Sequence, residues 1–160
     1  MGKGNLRTVY GLTLIASLFC VVSIVWILVQ SYFITACSGE GCIVWHEECY
    51  ALQLSVFLGR VLFKTSFYGL LILFMVKQCR AIKCGVIFPR ANVSVLYAIA
   101  SCYLIGEFCD SNMASAVMPD DCHGGIVVNA DTVIYTLLLF IFAILYKVAV
   151  NVSEENNLTI

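Results

Sequence analysis

Charge is scarce in this chain, and that scarcity excludes most soluble folds. Only 12% of its 160 residues are Asp, Glu, Lys or Arg, against 61% hydrophobic residues and a mean hydropathy of +0.95. A water-soluble globular domain carries about 25% charged residues and could not hide so much apolar surface. The net charge of −1 provides no basic excess to follow a phosphate backbone, so direct nucleic-acid binding is not expected. Cys-x-x-Cys, the arrangement that favours a low-pKa attacking thiolate, is also absent, although the chain has 9 cysteines; this argues against a membrane thiol oxidoreductase. No nucleophile-base pair and no established metal-ligand spacing stands out, so no catalytic residue, metal or cofactor is assigned. The two halves share no repeat of the kind on which many transporters are built.

What the chain does have is long apolar runs, each near the ~20 residues a helix needs to cross a ~30 Å hydrocarbon core. They predict an all-α polytopic membrane protein, a four-transmembrane-helix bundle forming one membrane domain over residues 1–160. The spans fall at about 9–33, 51–76, 93–112 and 126–150. Between and after them lie loops at about 34–50, 77–92 and 113–125 and a tail at 151–160. The first run follows only Lys3 and Arg7, like a secretory leader, and a leader cleaved near Ala36 is the alternative reading. Its apolar stretch exceeds the 7–15 residues of a leader core, so it is expected to stay as the first helix.

Orientation follows from where basic residues are missing, because basic loops resist translocation. Lys3 and Arg7 precede span one, Lys77, Arg80, Lys83 and Arg90 separate spans two and three, and Lys147 closes span four. The other two connections hold no Lys or Arg; their flank is acidic, with Glu40, Glu47, Glu48, Asp110, Asp120 and Asp121. Both termini and the 77–92 loop are therefore expected in the cytoplasm, and 34–50 and 113–125 outside. Cys37, Cys42, Cys49, Cys109 and Cys122 fall on the outer side, where an oxidising compartment permits disulfides. Five is odd, which leaves one of them without a partner. A zinc site from His46, Glu47, Cys49, Cys122 and His123 is chemically conceivable but has no established spacing. Cys20 and Cys102 read as packing residues within spans, and Cys79 and Cys84 as reduced cytoplasmic thiols.

Charges inside a span cost ~2.5–3.5 kcal/mol each and call for a partner or a function. Arg60 and Lys64 are one helical turn apart on one face of span two. Glu107 lies in span three, and Asn129 with Asp131 in span four. Counted inward from the outer ends, Arg60, Glu107 and Asp131 reach similar depth, with Lys64 a turn deeper. These five residues are the expected intramembrane polar network. It serves either to fix helix assembly or to hold a ligand, proton or ion. Gly59, Gly69 and Gly106 would let helices approach closely. In the cytoplasmic loop, Gly85 suits a helix stop, Pro89 the first turn of the next helix, and Ile87-Phe88 a pair tucked against the membrane surface.

The stretch Lys83-Cys84-Gly85-Val86-Ile87-Phe88, then Asn92-Val93 and Tyr97-Ala98-Ile99-Ala100, resembles a segment of the bacterial family known as domain of unknown function 2975. The ending, from Lys147-Val148-Ala149-Val150 through Glu154-Glu155-Asn156-Asn157-Leu158-Thr159-Ile160, is similar to that family's closing motif, usually written with Asp where Asn157 stands. The resemblance implies a four-helix protein of the bacterial cytoplasmic membrane with no assigned activity. It also implies a partner, since genes of the family often lie beside one for a small Cro/CI-like helix-turn-helix regulator. The chain departs from the family pattern in its outer cysteines and in Pro89, where Ser or a similar cap is common. On this reading the tail, through Glu154, Glu155, Asn156, Leu158 and Ile160, extends span four as a short amphipathic helix that docks the regulator. A frayed terminus is the usual alternative. The competing function is a small transporter or ligand-binding bundle built on the intramembrane charges.

Overall fold

The computed structural model describes residues 3–37, 42–43, 45–113 and 126–158, with the side chains of 3–7 and 156–158 left aside. The described residues form four helices: α1 (Lys3–Ala36), α2 (Tyr50–Lys83), α3 (Ala91–Ser111) and α4 (Ala130–Leu158). Each is long and apolar enough to cross a membrane. Many of their Ser and Thr hydroxyls bond back to the helix's own backbone. Thr13, Ser23, Ser31, Thr65, Ser101 and Thr136 each donate to the carbonyl four residues back. That is the arrangement a hydroxyl needs where water is excluded.

The helix ends obey local chemistry. Gly85 sits at φ +80°, with its N–H on Ile82 O and the Val86 N–H on Ala81 O, at 3.1 and 2.9 Å. This is the Schellman closure that glycine permits without steric cost. Pro89 lies two residues before α3, and its carbonyl accepts the Asn92 N–H at 3.0 Å. At the start of α4, Asn129 Oδ1 accepts the Asp131 N–H at 3.0 Å, so Asn129 is the N-cap and Asp131 an acid in the first turn, favoured by the helix dipole.

Helix backbones approach in chain order, α1 on α2, α2 on α3 and α3 on α4, with no close approach of α1 to α4 among the described residues. The central unit is thus the α2–α3 hairpin, flanked by α1 and α4. Two glycines bring α2 and α3 together. A Cβ on Gly59 would come within 2.7 Å of Cys109 Sγ, and one on Gly106 within 3.1 Å of Lys64 Cγ and 3.2 Å of Lys64 N. Gly69 faces open space. The densest apolar packing lies between α2, α3 and α4, around Val95, Leu96, Ile99, Ala143, Tyr146 and Val150. Phe88 joins it, its ring 5.6 Å from that of Tyr146, while Ile87 stays exposed; the expected pair splits between core and surface. The outward faces are apolar: Leu14, Phe19, Trp26, Leu138, Phe142 and Leu145 are all at least half exposed. Such a surface fits hydrocarbon and not water.

Candidate functional site

Toward the C-terminal end of α3, α2 presents Arg60 and Lys64 to two carboxylates on the last turns of that helix. Arg60 Nε lies 2.5 Å from Asp110 Oδ1, and Lys64 Nζ lies 2.6 Å from Asp110 Oδ2 and 3.2 Å from Glu107 Oε1. Both pairs are spaced for one helix face, i and i+4 on α2 and i and i+3 on α3. Gly106 leaves the room in which the Lys64 stem lies against α3. The guanidinium also reaches α1, donating to Gln30 Oε1 at 3.1 Å and to Ser31 Oγ at 3.5 Å. Two positive and two negative charges therefore balance, and Arg60 is buried with each of its three side-chain nitrogens bonded once. A cavity of about 350 Å³ opens beside this cluster between α1, α2 and α3, lined by Trp26, Gln30, Arg60, Lys64, Tyr68 and Asp110 among others.

Of the five residues expected in the network, the structure unites Arg60, Lys64 and Glu107. Asn129 and Asp131 stand apart, exposed at the N-terminus of α4, where Asn129 caps the helix and Asp131 lies in its first turn. Their place is taken by Asp110, which the charge count had grouped with the outer acidic flank, and by Gln30 and Ser31. The spacing of Asp110 three residues after Glu107 was the available signal. Gln30 and Ser31 carried none, because uncharged polar residues in a first span are common.

The outer cysteines divide as an odd number must. Cys37 and Cys42 form a disulfide, Cys49 is also oxidised, and Cys109 is a buried free thiol packed on Gly59. Cys122 and His123 lie outside the described residues. Among the described residues no three His, Cys, Asp or Glu side chains converge as metal ligands. Oxidation withdraws the Cys49 thiolate from the conceivable zinc set, and His46 Nε2 is buried without a partner among the described residues. Amides hold the chain just before α2 and just before α4. Asn112 exchanges two 2.8 Å bonds with the backbone of Val127, and Gln53 accepts the His46 N–H at 3.0 Å.

The end of the bundle next to the 77–92 loop holds a second polar knot that spacing alone did not reveal. Gln78 Oε1 on α2 accepts from Asn92 Nδ2 on α3 at 2.9 Å and from the Tyr146 hydroxyl on α4 at 2.8 Å. The Gln78 amide nitrogen donates to the carbonyl of Ile87 in the loop. One side chain thus joins three helices and their connection. On the α1 side, Tyr10 donates to the Cys79 carbonyl at 3.2 Å, and its ring lies 5.1 Å below Lys83 Nζ. The tail residues Glu154 and Glu155 belong to α4, which remains helical to Leu158, and Glu154 pairs with Arg90 at 3.5 Å. The side chains of Asn156 and Leu158, and Ile160 altogether, lie outside the described residues. No family model, curated protein or solved structure matches the chain.

Proposed function

We propose that the chain is a non-enzymatic, multi-pass protein of a bacterial cytoplasmic membrane, with both termini inside, that docks a small cytoplasmic helix-turn-helix regulator. The observation that carries this reading is the continuity of α4, which runs from the apolar stretch into the acidic segment around Glu154 and Glu155 without a break. A helix joined to a membrane span offers a partner a preordered surface and so avoids the ordering cost of a loose tail. The Arg90–Glu154 pair and the Gln78 knot support it by tying that end to α2 and α3. Orientation rests on the basic loop at Lys77, Arg80, Lys83 and Arg90, and the bacterial setting and the regulator on the resemblance to the family.

Crosslinking and pull-down from native membranes tests it, comparing the intact chain with one lacking residues 151–160. A small DNA-binding protein recovered with the first and lost with the second is the expected result. Failure to recover one with either form would remove the docking role. A second reading, a ligand-binding bundle, is favoured by one observation: Arg60, Lys64 and Asp110 line the cavity between α1, α2 and α3. It requires that neutralising those residues abolish ligand response while the tail is dispensable.

A further inference from the structure

Between the cytoplasmic ends of α3 and α4 lies a groove of about 250 Å³. Arg90, Ser94 and Tyr97 line it from the α3 side, and Lys147, Val150 and Asn151 from α4. The spacings place each set on one helical face. Val150 is buried and forms the floor, whereas Arg90, Ser94, Lys147 and Asn151 are exposed around it. Among the described residues no carboxylate lines the groove. Glu154 meets Arg90 through one 3.5 Å approach, and the Arg90 side chain remains 79% exposed. The site is therefore cationic, with hydroxyl and amide donors beside the two charges.

Its level in the chain matters as much as its charge. Arg90 immediately precedes α3, and Lys147 is 17 residues beyond the first residue of α4, Ala130, about 26 Å along the axis and close to the thickness of a hydrocarbon core. Toward the membrane interior the stripe of Lys147 continues through Ile144, which is half exposed, and Phe140, whose ring packs 6.1 Å from Tyr97. An apolar track thus leads directly from the cationic pair.

We infer that this groove holds the phosphate headgroup of an anionic phospholipid of the inner leaflet between Arg90 and Lys147, with an acyl chain lying along Ile144 and Phe140. Basic pockets between membrane helices at the cytoplasmic face suit such headgroups, and the guanidinium and ammonium supply charge-assisted donors to phosphate oxygens. The inference rests on the membrane reading above. Glu154 opposes it by competing for Arg90, which gives the test opposite signs.

The full chain in detergent is titrated with phosphatidylglycerol and with phosphatidylcholine, and the bound lipid is read by native mass spectrometry. Preferential retention of one phosphatidylglycerol is expected. Arg90→Gln with Lys147→Gln should weaken it by about thirtyfold, from the usual contribution of two basic residues at an anionic surface, and Glu154→Gln should tighten it severalfold. Equal retention of the two lipids, or no response to either variant, would overturn the proposal. Displacement by millimolar inorganic phosphate would assign the site to free phosphate and refute the lipid. The Glu154→Gln arm decides if the double variant does not fold. Orientation is read separately: a carboxyl-terminal tag exposed outside the cell would refute the inner-leaflet assignment while leaving detergent binding intact.

Discussion

Removing the charge of Asp110 should expose which carboxylate holds the outer cluster together. In Asp110→Asn, Lys64 keeps Glu107 at 3.2 Å, but Arg60 is left with the neutral Gln30 and Ser31 as its recorded partners. A charge without a counter-charge at span depth costs ~2.5–3.5 kcal/mol. Because the Asp110 side chain is 35% exposed, screening removes part of that, and a loss of about 2 kcal/mol is expected. In Glu107→Gln, Lys64 retains its shorter 2.6 Å pair with Asp110, and the loss should stay below about 1 kcal/mol. Adding Arg60→Met to Asp110→Asn removes the stranded charge and should recover most of the stability, a coupling that a double-mutant cycle measures. Reversible unfolding in mixed micelles, monitored by the fluorescence of Trp26 and Trp45, gives these values and that of Arg60→Met alone, which closes the cycle. The reasoning fails if Asp110→Asn is neutral, or if Glu107→Gln costs more than Asp110→Asn.

Two further outcomes follow from the packing and the cysteines. Gly106→Leu should cost about 1–3 kcal/mol in the same assay, since its side chain must displace the Lys64 segment; Gly69→Ala, which meets nothing within 4 Å, should be neutral or stabilising by up to about 1 kcal/mol. Equal effects at the two glycines would contradict the close α2–α3 approach. Peptide mapping without reduction should find Cys37 linked to Cys42, and Cys20, Cys79, Cys84, Cys102 and Cys109 as thiols. Cys49 should be recovered oxidised rather than as a thiol. Recovery of Cys109 in a disulfide would refute this assignment.

The four helices were legible because apolar length is a strong signal, but their ends were not, and for physical reasons. α2 runs seven residues beyond the expected limit at Val76, to Lys83. The hydropathy pattern stops at Lys77, whereas lysine and arginine are good helix formers and suit a helix C-terminus. α4 begins at Ala130 instead of near residue 126 because Asn129 caps it and Val127 is held by Asn112 in non-helical chain. The cluster was half legible. The i, i+4 pair of Arg60 and Lys64 announced a face, and Glu107 was near enough in depth to meet it. Depth alone cannot distinguish helices that touch from helices that do not, so Asp131 was drawn in although α4 does not reach that face. Asp110 was missed because an acid near a span end reads equally as loop. Gln78, Asn92 and Tyr146 showed nothing in sequence, since neutral polar residues announce a knot only once three helices are side by side.

The docking and lipid readings both depend on which side of the membrane the 77–92 loop occupies, and one native thiol reports it. Cys84 is exposed and free at the C-cap of α2. A membrane-impermeant maleimide should label it in inverted vesicles and leave it untouched in intact cells. Labelling of Cys84 in intact cells would place the basic loop outside and contradict the proposed orientation, and with it the cytoplasmic docking role of α4.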